Sequence, residues 1–165
     1  MKKFFPFALL AVFSVFISCS ENERPVNPLV GVWENREYVD SLSVWFVETL
    51  HFKNDSVFEQ SLTVRQSEKG ENLGYRWFSE GVYTQEANEI SFNFFLEYKF
   101  HQKDGSEIIF EPKNKLGQVL IERIYSAFRV DLQSDFKEMD YQIICITPFD
   151  KFPVCEEVKR FIKVN

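Results

Sequence analysis

From Glu89 to Phe100 the side chains alternate with a period of two. Ile90, Phe92, Phe94, Leu96, Tyr98 and Phe100 fall on one face, and Ser91, Asn93, Glu97 and Lys99 on the other, with Phe95 out of phase. A strand sends successive side chains to opposite sides, so this run buries one face and wets the other. A helix would spread the same aromatics around its circumference. A strand this rich in phenylalanine must also be shielded from pairing with a second chain.

The same period recurs along the chain. Ser43 to Lys53 puts Val44, Phe46, Leu50 and Phe52 on one face, with Glu48 breaking the pattern. Phe58, Leu62 and Val64 share a phase within Ser56 to Arg65, as do Tyr75, Trp77 and Tyr83 within Gly74 to Thr84. Glu107 to Glu111, Val119 to Leu132 with a bulge or break near Ser126, Tyr141 to Thr147 and Glu157 to Val164 complete the candidate strands. Asn54-Asp55, Ala87-Asn88 and Asp104-Gly105 are turn signals between them. A series of hairpins with short connections is a meander, which closes into a barrel or folds into a sandwich. The expected fold is all-β: an antiparallel up-and-down barrel of about eight strands, with a β-sandwich as the alternative.

The N-terminus is of another kind. Lys2 and Lys3 precede an uncharged run from Phe4 to Ser18. That is the pattern of a secretory signal peptide, shorter than the roughly 20 apolar residues that span a bilayer. Phe16-Ile17-Ser18-Cys19 resembles the bacterial lipobox, in which small residues precede an obligatory cysteine, although Phe16 stands where leucine is commonest. The resemblance implies cleavage before Cys19 and lipid attachment to its thiol. Two or more acyl chains, at about 0.8 kcal/mol per buried CH₂, make such an anchor persistent. The polar stretch that follows reads as a tether, and its Glu21 and Glu23 resemble the acidic surface-export signals of Bacteroidota lipoproteins. The expected organisation is a signal peptide over 1–18, a lipidated cysteine and tether over 19–28, and one domain over 29–165. The expected location is the bacterial envelope, anchored by lipid at the outer membrane.

Leu29-Val30-Gly31-Val32-Trp33 opens the domain and resembles the Gly-x-Trp signature on the first strand of lipocalins. Gly81-Val82-Tyr83-Thr84 and Glu89-Ile90-Ser91-Phe92 are similar to paired strands of lipocalin-like lipoproteins of Bacteroidota. The resemblance implies that Trp33 packs at the closed barrel end beneath an arginine of the last strand. Arg160 is the expected counterpart, with Arg123 second. A guanidinium on an indole contributes about 0.5–2 kcal/mol, which is a stabilising role and not a catalytic one.

The formal net charge of −6, made more negative by removal of Lys2 and Lys3, argues against a nucleic-acid partner. Cys145 and Cys155 lie in a chain bound for an oxidising compartment, where they form either a bridge or two unpaired buried thiols. His51 and His101 are far apart, and no metal-ligand spacing, nucleophile elbow or phosphate loop occurs. The expectation is therefore a non-enzyme with no cofactor and no metal. The chain carries 19 phenylalanines, three tryptophans and six tyrosines, so the contents of the barrel become the question. Phe46, Trp77, Phe92, Phe94 and Tyr98 either line an apolar pocket or fill the interior. The first outcome implies a small apolar or amphipathic ligand. The second implies an envelope protein as partner, met through off-phase aromatics such as Phe78 and Phe95.

Overall fold

The structure is a computed structural model that describes residues 27–101, 107–119, 126–133, 135–144 and 158–164. Cys19, Arg123, Cys145 and Cys155 lie outside the described residues, as do the side chains of Phe94 and Phe95. The strands are β1 (Gly31–Val39), β2 (Val44–Phe52), β3 (Val57–Arg65), β4 (Asn72–Glu86), β5 (Glu89–Lys99), β6 (Gly117–Val119), β7 (Ser126–Leu132), β8 (Glu138–Ile144) and β9 (Val158–Val164). Each of β1 to β5 pairs antiparallel with the next, β7 pairs with β8, β8 with β9, and β9 returns to β1. One edge of β5 is shared: β7 runs along Glu89 to Phe92 and β6 along Glu97 to Lys99. The outcome is a closed antiparallel barrel of eight strands with β6 as an added short strand. Closure pairs the aromatic β5 with β4 on one edge and, over Glu89–Phe92 and Glu97–Lys99, with β7 and β6 on the other, which answers much of its exposure problem.

Turn chemistry fixes the hairpins. The Asn54 side chain accepts hydrogen bonds from the backbone N–H of Ser56 and of Val57, both at 2.9 Å, which sets the β2–β3 register. Ala87 takes a left-handed φ of 53° in the two-residue β4–β5 turn. One candidate strand differs from expectation. Glu107 to Glu111 forms only an isolated bridge, in which Glu111 pairs with Tyr75 beyond the end of β5. Gly74, next to Tyr75, has no room for a side chain here, since a Cβ would stand 2.5 Å from the Phe110 ring. Within Val119 to Leu132, β6 ends at Val119 and β7 begins at Ser126, where the sequence allowed a break; residues 120–125 lie outside the described residues.

The larger correction concerns β5. Val82 pairs with Phe94 but Tyr83 pairs with Phe92, so Asn93 is an extra residue in the ladder. One inserted residue reverses the face of everything beyond it. Ile90 and Phe92 therefore point into the core, whereas Tyr98 pairs with Phe78 on the outer face, their rings 6.3 Å apart. Tyr98 does not join Phe46 and Trp77. Phe78 is not an exposed aromatic either: it is only 5% accessible, with the Lys113 ammonium 3.3 Å from its ring centroid.

Inward residues of one half of the barrel form a solid aromatic core. Phe58 stacks on Phe92 at 4.1 Å, Phe92 meets Phe128 at 5.1 Å, Phe128 stacks on Tyr141 at 4.7 Å, and Tyr141 meets Phe161 edge-on at 5.6 Å. This chain crosses the interior from β3 through β5, β7 and β8 to β9. Beneath it Trp33 is fully buried, and its indole N–H donates to the Leu29 carbonyl at 2.7 Å. The cation over Trp33 is not Arg160. It is Lys163, the register partner of Trp33, with its ammonium 5.0 Å from the ring and donating to the Pro28 carbonyl at 2.9 Å. Arg160 has the opposite phase on β9 and bonds outward to Asp140 at 2.8 Å. Tyr83 completes this end, its hydroxyl donating to the Asn54 carbonyl at 2.7 Å. Burial, with Asp55 adding to it, pushes that phenol up to about 12.

Candidate functional site

Above the aromatic belt the interior changes character. The β1–β2–β3 register sets Asn35, Glu48 and Leu62 in one inward row and Glu37, Phe46 and Val64 in the next. Trp77 stands opposite Leu62 on β4. Glu48 is the residue that broke the apolar pattern of β2 in the sequence. Its carboxylate faces inward and receives two donors: Lys159 from β9 at 2.8 Å and Gln60 from β3 at 3.1 Å. A carboxylate on an inward face is retained only where such partners exist. The Lys159–Glu48 pair spans β1 and forms a polar shelf across the barrel.

Tyr141 lies at the same level, directly opposite Lys159 in the β8–β9 register. Its hydroxyl is buried and has no hydrogen-bond partner among the described residues. Burial pushes this phenol well above its ordinary range, and the negative charge of Glu48 pushes it the same way. Tyr141 is therefore a neutral hydroxyl beneath the shelf with both donor and acceptor capacity in reserve.

A cavity of about 490 Å³ opens above this shelf. Phe46, Leu62 and Trp77 form its apolar wall, from β2, β3 and β4. Asn35, Arg36 and Glu37 of β1 and Val158, Lys159 and Arg160 of β9 form the opposite side, with Glu48 at the base. The opening follows from the barrel's seam. β1 and β9 are paired only from Val32 to Glu34, against Ile162 to Val164. Beyond that, the Asn35 side chain donates to the Arg160 carbonyl at 2.8 Å and bridges the parting strands.

Of the residues the sequence singled out, Phe46 and Trp77 come together at this cavity. Phe92 is in the packed core, and Tyr98 is outside the barrel. Trp33 is at the far end and Arg160 reaches the cavity only at its rim, with its guanidinium turned to Asp140. Sequence reasoning missed Glu48, Lys159, Gln60, Asn35, Glu37 and Tyr141. The signal for Glu48 was present as its exception to the alternation. Lys159 and Gln60 carried none, because polar residues on a strand read as solvent-facing.

The arrangement offers an aromatic wall over a hydrogen-bonded polar base. His51 lies with Glu59, its Nδ1 3.6 Å from the carboxylate, away from the cavity wall. No group of three histidine, cysteine or acidic residues able to hold a metal occurs among the described residues. No known protein family, no curated protein and no solved structure matches this chain.

Proposed function

We propose that this chain is a lipid-anchored envelope protein whose lipocalin-like barrel binds a small amphipathic molecule at its open end. The supporting observation is the division of the interior. One half is filled by aromatics, and the other holds a cavity of about 490 Å³ with an apolar wall over a polar shelf. Ligand sites of that size bury an apolar body and use a few fixed polar groups for orientation. The competing reading, an envelope interaction protein with a filled barrel, draws on the solid half and requires no uptake of small molecules.

A neutral apolar fluorophore, 1-N-phenylnaphthylamine, separates the two. With the Cys19→Ser full chain we expect enhanced and saturable emission. Trp77→Ala and Phe46→Ala are each expected to weaken the affinity roughly tenfold, about 1.4 kcal/mol, with unchanged far-ultraviolet circular dichroism. Absence of saturable emission from the parent chain would leave the filled-barrel reading standing.

The anchor has its own test. In this reading Cys19 carries the lipid, and the acidic tether places the barrel at a membrane surface. Cys19→Ser is expected to shift the protein from the membrane fraction to the soluble fraction of its host, since no acyl chain then remains. Continued sedimentation with membranes at high salt would rule out the lipid account.

A further inference from the structure

Five charged side chains border the cavity: Arg36, Glu37, Glu48, Lys159 and Arg160. Four have charged partners within the protein. Arg36 is held by Glu34 at 2.7 Å and reaches Glu68 at 3.3 Å; Arg160 is held by Asp140 at 2.8 Å; Lys159 and Glu48 hold each other at 2.8 Å. Glu37 has no ion-pair partner among the described residues. It is exposed, and in the β1–β2 register it stands directly opposite Phe46, the aromatic of the cavity wall.

We infer that the cavity selects an organic cation: a molecule with an apolar or aromatic body and an ammonium group. This rests on the binding reading above and names the ligand's charge. The body lies against Trp77, Phe46 and Leu62, and the ammonium meets the Glu37 carboxylate near the rim.

Two physical arguments favour a cation over an anion. A carboxylate drawn to Lys159 would have to take it from Glu48, which would strand an inward carboxylate beside a second negative charge. An ammonium needs no such exchange, because Glu37 is available and the faces of tryptophan and phenylalanine attract cations. The Phe46 ring already holds one cation, the Arg76 guanidinium, 4.9 Å from its centroid.

Three probes that share an indole body isolate the charge: tryptamine, tryptophol and indole-3-propanoate. Binding to the full chain in lipid nanodiscs is read by titration calorimetry, with empty nanodiscs as the blank. Tryptamine is expected to bind at least tenfold more tightly than indole-3-propanoate, with tryptophol between them. Glu37→Gln is expected to remove the advantage of tryptamine and to leave tryptophol unchanged, which also shows that the barrel remains folded. Equal or tighter binding of the anion overturns the inference, as does loss of binding through Arg76→Gln with no effect of Glu37→Gln. If none of the three binds, the organic-cation inference falls, while saturable 1-N-phenylnaphthylamine emission decides the binding reading separately.

Discussion

Trp33→Ala is expected to cost about 3–5 kcal/mol, the range for removing a buried aromatic from a packed core. Total stability of a domain is about 5–15 kcal/mol, so this single change takes away a large share of it. Trp33 is completely buried among Leu29, Leu50, Phe52 and Tyr83, and neighbouring strands of a closed barrel cannot collapse into the space it leaves. The same change frees the Leu29 carbonyl, which now accepts the indole N–H. Trp33→Phe keeps most of the volume but not the donor, and is expected to cost about 1–2 kcal/mol less than a full truncation. Urea unfolding followed by circular dichroism measures both. A Trp33→Ala midpoint within experimental error of the parent would mean that this end is not part of the cooperative core. Lys163→Met tests the correction at the same site: it should lower stability modestly, whereas Arg160→Met should leave the Trp33 environment unchanged.

The second large effect lies on the outside of the barrel. Glu34 is a buried carboxylate on the outer face of β1, gripped by Arg65 at 2.6 Å and Arg36 at 2.7 Å. Beneath this network Val47 and Thr63 are almost wholly covered, though they belong to the outward phase of β2 and β3. Glu34→Gln keeps the shape and removes the charge, so two poorly solvated guanidinium groups lose their counter-ion. The expected cost is about 2 kcal/mol, below the 3–5 kcal/mol of a fully buried pair because Arg36 retains Glu68 and Arg65 retains Asn72.

The pH dependence carries the diagnostic sign. Burial alone would raise the Glu34 pKa, but the hydrogen bonds and charges of Arg65 and Arg36 outweigh it and hold the carboxyl below its ordinary value of 4.5. A depressed carboxylate stabilises the fold fully above its unfolded pKa and ceases to do so as pH falls through the folded value. The gap between parent and Glu34→Gln should therefore be widest near neutrality and narrow as the solution is acidified below about pH 4.5. Glu59, depressed by Lys53 against its own burial, keeps part of the acid sensitivity in both proteins. A gap that stays constant from neutral to strongly acidic pH would show that the charge of Glu34 is not what stabilises this face.

Much of this architecture was legible in the chain. Period-two alternation located β2, β3, β4, β5, β8 and β9, because a strand's faces are set by the residue spacing itself. Short turns such as Asn54-Asp55 and Ala87-Asn88 imposed antiparallel neighbours, and the aromatic load made closure the way to hide β5. The uncharged leader and Cys19 gave an expectation of anchoring that awaits its own experiment. Phe46 and Trp77 were recognisable as inward aromatics from phase alone.

Tertiary structure decided the rest. The Asn93 bulge moved Tyr98 out of the barrel, since the register of β5 depends on its partner β4 and not on its own alternation. The cation over Trp33 became Lys163 because closure of β9 on β1 sets that residue, and not Arg160, opposite the indole. Above all, Glu48 acquired its meaning only across the interior. Gln60 comes from the neighbouring strand of the same hairpin, but Lys159 lies 111 positions away, and only closure of β9 on β1 brings it to Glu48 to make a polar shelf where the alternation promised another apolar layer. Local pattern determines which way a side chain points, but what it meets there is a property of closure.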